Sequence, residues 1–515
     1  MSKTTPAEAP KSPLWKRIPY RWMHVAAIVA IYAFCTIVYG DVFERAQQNC
    51  FVASSSELMT YVKNLPLGDV YCAARYLMLP FKNLWIGGAW LTMWLVGSAC
   101  LLARALRLSR RWKLLTFLLP IATLGYMAWR GTRIYYHDEP STVILIPMVV
   151  MLVAACCALV GQFLRKKAEC VSVAHPASVG VVAVAFAALF ACTSVFRDND
   201  IVSAKLQNMM LEGDWQGMEV AALSAKQANR TVAAYYAISL VQQDKLLDKI
   251  FDLPFDYPED TKYLLADGKT EYSFFESDCN FYAGLINSSY RSAMEQHVMS
   301  GPTIYNYKRL AKCAVMNGET QLAERYLFAL SQVPFEQEFV ERWRMLLLNP
   351  QLIDADPELS RVRALKPREE TTEQNYRRPI FMGYNVGLGQ GSDATLTTSI
   401  AATLYSKDMM RMLNMASVLR HKNQGRLPRI VREAIMIKSI TMPELKQAFP
   451  EITGDAMLLT NFQSFVSQAR PYLDDKPLLR EKLRKDWLGT YFYYYYCENN
   501  NPSQVQSKTS SAGVN

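Results

Sequence analysis

The stretch Val179–Phe196, VGVVAVAFAALFACTSVF, carries no charged residue and ends abruptly at Arg197-Asp198-Asn199-Asp200. A bilayer core takes roughly 20 apolar residues in helical form, with about 17 as the lower bound. The stretch therefore reads as a short membrane-spanning helix. It divides the chain, with apolar segments before it and polar, amphipathic segments after it. Everything else in the sequence is organised around that division.

The chain has 515 residues, too many for one core, which suggests two to four units. Its formal net charge of +10 is unevenly placed: residues 1–196 hold 19 Lys+Arg against 8 Asp+Glu, and the remainder 37 against 38. The basic excess thus belongs to the membrane half, where positive loops set orientation. A nucleic-acid footprint would cluster Lys and Arg on the polar half, so no nucleic-acid partner is expected. Of eleven Cys, six (Cys35, Cys100, Cys156, Cys157, Cys170, Cys192) lie in or beside apolar segments and read as small apolar fillers. No pair has CxxC spacing and no Cys/His cluster has zinc-ligand spacing, so no metal or cofactor is expected. Cys50 and Cys72 share one extramembrane loop, and whether they pair is left open.

Four apolar runs precede 179–196. A basic, polar tail, residues 1–22, leads into the first, residues 23–39. That run exits through Val38-Tyr39-Gly40-Asp41 with no small-x-small cleavage site, so it reads as an anchor and not as a signal peptide. The others are 84–106, 114–129 (marginal in length, with Pro120) and 143–163 (with Pro147). Proline is tolerated in spans because neighbours re-satisfy the freed backbone groups. The tail, the turn at Arg104-Arg107-Arg110-Arg111-Lys113 and the turn at Arg165-Lys166-Lys167 hold 13 Lys+Arg and two acids; the loops 40–83 and 130–142 hold six of each. The positive-inside rule then places the N-terminus in the cytoplasm. Five spans place everything after Phe196 outside, which in a Gram-negative inner membrane is the periplasm.

The polar half has a helical period throughout, so the expected fold is all-α: about five transmembrane helices followed by a soluble helical domain. In Tyr307–Pro334 two amphipathic runs flank Asn317-Gly318, and small Ala residues at the contact let antiparallel helices approach. This is the pattern of a tetratricopeptide-like hairpin, a unit of about 34 residues. Looser versions span Val202–Ala228, turning at Gly213-Asp214-Trp215, and Met409–Ser439, turning near Gly425. The expected organisation is a first helical group at 197–349, a linker and Gly-containing loop at 350–395, a second group at 396–497 with a final helix Pro477–Cys497, and a disordered polar tail at 498–515.

The residues that carry chemistry are few. Asp41 and Glu44 follow the first span, and His137-Asp138-Glu139 lies just beyond the third. Acidic and imidazole groups at the outer membrane surface would suit a transferase acting on lipid-linked sugar, with these five as its candidate catalytic residues. Against that, His137-Asp138-Glu139 followed by Pro140 is also what a solvated turn looks like. Asp198-Asn199-Asp200 matches the DxD of metal-dependent sugar transferases, yet it opens a helix, where Asp and Asn cap free N–H groups. Gly387-Leu388-Gly389-Gln390-Gly391 lacks the Lys and preceding strand of a phosphate loop. The run Tyr491–Tyr496 reads as core packing. No HExxH, GxSxG or Ser/His/Asp arrangement occurs.

Gly301–Leu347, Met409–Ile437 and the ending GTYFYYYYC (Gly489–Cys497) resemble a family of multi-pass membrane proteins of unknown function from Bacteroidota. The resemblance implies location and architecture and brings no catalytic residues. The expected function is non-enzymatic: an inner-membrane protein whose periplasmic helical-repeat domain binds a protein or peptide partner, repeat stacks being suited to that by their extended curved surfaces. The lipid-linked sugar transferase is the alternative.

Overall fold

The computed structural model describes residues 20–498 apart from 107, 109–111, 132, 137, 164–174, 197, 227, 254–274, 368–392 and 406. His137, the glycine loop at 387–391, the basic turn at 165–167 and the tail beyond Glu498 therefore lie outside the described residues. The chain forms two units. The first is Met1–Val52 with Ser56–Ile201, and the second is Ala53–Ser55 with Val202–Asn515.

In the first unit, α1 (Tyr20–Ala33) runs into a π turn at Phe34–Val38. The Tyr39 amide closes that turn on the Phe34 carbonyl at 2.9 Å, and Thr36 Oγ1 donates to the Tyr32 carbonyl at 2.7 Å. The chain leaves the apolar run through α2 (Gly40–Gln48), α3 (Thr60–Lys63), α4 (Gly68–Leu77) and a 3-10 turn at Leu79–Lys82. Asn83 then caps α5 (Leu84–Ala105), its side chain accepting from the Trp85 and Ile86 amides. Gly88 sits where a Cβ would lie 2.2 Å from Thr36 Cγ2, and a Cβ on Gly87 would lie 2.7 Å from Phe81 Cα. These two glycines serve contacts within the chain, so they are not a free surface for pairing of copies.

After a 3-10 turn at Lys113–Phe117 come α6 (Leu118–Arg130), α7 (Arg133–Tyr136), α8 (Thr142–Phe163) and α9 (Pro176–Phe196). α8 packs along α5, and α9 packs on α6. Among the described residues, four helices are long and apolar enough to cross a membrane: Arg21–Val38, Leu84–Ala105, Thr142–Val160 and Pro176–Phe196. The stretch expected as the third span is built differently. Its first turn is wound as 3-10, and Pro120 stands in the first turn of α6, where its missing N–H interrupts nothing.

The described second unit is helical throughout. α10 (Asp198–Glu212) and α11 (Trp215–Leu223) flank Gly213, which adopts φ +75, and Asp214 caps α11 by accepting from the Gly217 amide. Next come α12 (Arg230–Gln242), α13 (Leu246–Lys249), α14 (Phe275–Tyr282) and α15 (Ile286–Ser300). α16 (Ile304–Asn317) and α17 (Thr320–Ser331) form the hairpin read from the sequence, and Gly318 takes the left-handed conformation between them. α18 (Gln337–Leu348) follows, and each helix from α14 to α18 packs on its successor.

The expected linker is shorter than its proline content suggested. Within it lie α19 (Leu352–Ala355) and α20 (Pro357–Leu365), with Leu359, Val362 and Leu365 fully buried. Pro357 occupies the first helical position behind an Asp356 cap, where proline is favoured.

The second helical group comprises α21 (Asp393–Tyr405), α22 (Met409–Lys422), α23 (Arg429–Lys438), α24 (Leu445–Ala448), α25 (Glu451–Gly454) and α26 (Ala456–Ala469). The expected final helix is two helices, α27 (Lys476–Trp487) and α28 (Tyr491–Cys497), broken at Gly489 with φ +88. A Cβ at Gly489 would lie 2.6 Å from Asp252 Oδ1. The aromatic ending is core. Phe251 lies 4.4 Å from Tyr494, 5.2 Å from Tyr405 and 5.3 Å from Tyr491, measured between ring centroids. The Tyr494 and Tyr491 hydroxyls donate to the Tyr405 and Leu404 carbonyls at 2.6 and 3.0 Å. The two groups expected to be separate thus close around Phe251 into one unit.

Candidate functional site

The acidic residues singled out in the sequence belong to the connections between the long apolar helices of the first unit. Two of them meet arginines. Arg75, buried on α4, forms a bidentate pair with Glu139, Nε to Oε1 at 2.8 Å and Nη2 to Oε2 at 2.7 Å, and its Nη1 donates to the Phe51 carbonyl at 3.2 Å. Ser141 Oγ also donates to Glu139 Oε1, at 2.9 Å. Arg130 holds Asp138 Oδ2 through Nε and Nη2 at 3.1 and 2.7 Å, while its Nη1 donates to Thr142 Oγ1 at 2.9 Å. Planar guanidinium forks match carboxylates in this way and fix loop geometry. Asp41 lies in the first turn of α2, where negative charge suits the helix N-terminus. Glu44 is half-buried on the same helix.

Cys50 is buried in this region, and burial pushes its thiol well up, with Arg75 pulling the other way. Cys50 and Cys72 are both free thiols. Among the described residues, no group of three or more His, Cys, Asp or Glu could hold a metal ion.

A second polar constellation, in the second unit, is centred on Asp278 of α14, which is 0 % exposed. It accepts from Gln207 Nε2 of α10 at 2.9 Å, Tyr235 OH of α12 at 2.8 Å, Arg309 Nη2 of α16 at 2.7 Å, and Tyr305 OH of α16. The Arg309 side chain, 2 % exposed, stacks 4.6 Å from the Phe281 ring centroid, and its Nε and Nη1 have no hydrogen-bond partner.

One turn on, Lys312 Nζ lies 5.3 Å from the Trp343 ring and 5.7 Å from the Phe281 ring, and 3.6 Å from Glu358. Burial pulls the Lys312 ammonium below the usual lysine range, against the pull of Glu358. Glu358 in turn accepts from Tyr282 OH at 2.7 Å. Burial alone would raise the Glu358 carboxyl, yet Lys312, the Tyr282 bond and Arg342 together hold it below the usual range. Every cation here faces an acid, which makes this a cross-link between α10, α12, α14, α16 and α20.

Sequence reasoning did not find this network because its bonded partners lie up to 76 residues apart. One signal was present: Ser277, Asp278 and Asn280 stand between Phe275 and Phe281, and all five are buried in α14. A polar group on a buried helix face needs a partner.

Comparison with curated proteins finds no match, and comparison with solved structures finds none. One family model matches over residues 16–204 and 132–498, covering both the membrane segments and the polar helices. The chain therefore belongs to the family of unknown function DUF6057.

Proposed function

We propose that this chain is a multi-pass protein of a bacterial inner membrane whose helical second unit faces the periplasm and binds a protein or peptide partner. The observation that supports this most is the ordered stacking of α14 to α18, each on the next. The helix pairs turn at Gly213, Gly318 and Gly425, all at positive φ. Stacks of this kind are degenerate relatives of tetratricopeptide repeats and offer extended surfaces with little chemistry of their own. The step from stacking to partner binding is one of analogy between folds.

The transferase alternative draws on Asp41, Glu44, His137, Asp138 and Glu139. The contacts of Glu139 and Asp138 favour the scaffold reading, since both carboxylates are engaged with arginines. The experiment is a photo-crosslinking series in the native cell envelope, with the crosslinking residue at exposed Phe328 or Met345. A protein adduct that forms from these sites, and not from the same crosslinking residue placed at exposed Leu67 of the first unit, supports the scaffold. Adducts to lipid or glycan alone refute it and return attention to the acidic loops.

A further inference from the structure

We infer that Lys113–Arg130 is a fifth membrane crossing, a 3-10 turn running into an α-helix, and that the chain meets the lipid through a tryptophan belt at each end of its bundle. The inference rests on the membrane reading proposed above and adds a crossing that helix length alone does not reveal.

Two contacts inside the first unit fix the parity of crossings. Arg75, before α5, and Glu139, after α6, form the bidentate pair at 2.7 and 2.8 Å. A residue pair in contact outside the bilayer must share a side, so an even number of crossings separates them. Between them lie only α5, itself a span, and the segment 113–130. That segment must cross. The second contact is independent: Trp112 stacks on His175 at 4.4 Å between ring centroids. His175 immediately precedes α9, and only 113–130 and α8 lie between the two rings. Again the count is even only if 113–130 crosses. His24, at the start of the first span, meets Phe117 edge-on at 5.5 Å, which places the beginning of 113–130 at the end of the bundle where the first span begins.

The segment has the length for it. A 3-10 turn rises about 2.0 Å per residue and an α-helix 1.5 Å, so the 3-10 turn Lys113–Phe117 and α6 (Leu118–Arg130) together reach about 30 Å, the thickness of a hydrocarbon core. Its surface is also divided. Ile121, Leu124, Met127 and Ala128 are buried, while Ala122, Tyr126 and Trp129 form an exposed stripe.

Tryptophans mark both ends. Trp112 is 37 % and Trp129 68 % exposed, and they stand beside Lys113 and Arg130. Trp22, 62 % exposed, lies at the Trp112 end of the first span, and Trp85, 59 % exposed, lies at the Trp129 end of α5. Exposed tryptophan at both ends of apolar helices is the mark of the two membrane–water interfaces. With five crossings Trp22, Trp112 and His175 share one side of the bilayer; with four, His175 would lie opposite the other two. Glu212, after α9, then lies on the side opposite Trp22.

The test uses the full-length chain in sealed vesicles of known orientation. Three exposed positions are changed singly, Asp69→Cys, Arg133→Cys and Glu212→Cys, and labelled with a membrane-impermeant maleimide. Labelling is counted above that of the parent chain. The expected result is that all three label from the same face and none from the other. Labelling of Arg133→Cys and Glu212→Cys from the face opposite Asp69→Cys overturns the fifth crossing. Alkaline carbonate extraction of the same vesicles reads the membrane anchoring separately. Release of the chain into the supernatant refutes the membrane reading itself, and the crossing with it.

Discussion

Replacing Asp278 with alanine removes a fully buried ion pair from the second unit. The carboxylate is 0 % exposed and receives four donors from three other elements. Its loss strands Arg309, whose Nε and Nη1 are already without partners. An uncompensated buried charge costs about 3–5 kcal/mol, and each neutral donor left unpaired adds about 1 kcal/mol. Hydrogen exchange of the full chain in micelles reads this locally, because α14 and α16 amides report the free energy of opening their own region. At 1.4 kcal/mol per factor of ten, the total of about 6–8 kcal/mol should lower protection there about 10⁴- to 10⁶-fold, or down to the level set by global unfolding. The paired change Asp278→Leu with Arg309→Met removes both charges and leaves only neutral donors unpaired, so it should recover at least about 2 kcal/mol of the loss. Less than tenfold deprotection in the single variant, or strictly additive losses in the double, would refute the claim that this ion pair ties the helices together.

Three further outcomes are expected. Gly88→Ala would place a methyl 2.2 Å from Thr36 Cγ2 and should cost about 1–3 kcal/mol, read as a lower aggregation temperature in detergent; adding Thr36→Ala, whose Cβ stays 3.4 Å away, should restore it. Lys407 donates to the Tyr495 and Glu498 carbonyls at 2.9 and 2.6 Å, and burial pulls its ammonium down to about 8 against the pull of Glu498. Between there and its ordinary 10.5 the unfolded chain binds the extra proton, so stability should rise with pH across that window, by on the order of 2 kcal/mol, and Lys407→Met should abolish the rise in α28 exchange protection. Glu139→Gln weakens the hold on Arg75 and should loosen the loops over Cys50, raising its labelling by a small thiol reagent at least tenfold; an unchanged rate would show that the pair does not hold the loops closed.

Much of the fold was legible because it is periodic. Charge-free runs give the spans, and the turns at Gly213, Gly318 and Gly425 give the hairpins, since only glycine enters the left-handed region cheaply. The misread places are those where one residue type has two uses. Pro357 suggested a linker, yet behind Asp356 it begins a helix. Gly489 sits inside a helical period and breaks it by taking φ +88, a conformation that nothing in its local sequence demands. Asp138 and Glu139 were legible as acids beside an apolar run. Their arginine partners were not, because Arg75 lies 64 residues from Glu139 and no local pattern joins them. The Asp278 network was hidden for the same reason.

The π turn at Phe34–Val38 gives the first span an uneven tolerance to changes of length. A π turn holds one residue more than the α turn it replaces, and the helix on either side keeps its facing. Removing one residue within 34–38 would tighten the turn to α and leave the buried faces of α1 and α2 in phase. Removing Tyr32 or Ala33 instead would rotate what precedes it by about 100° and turn Ala27 and Ile31, both buried, off the packed face. Related chains that differ in length by one residue here can therefore keep the same packing, and a deletion scan along the span should show a single permissive window, at the π turn.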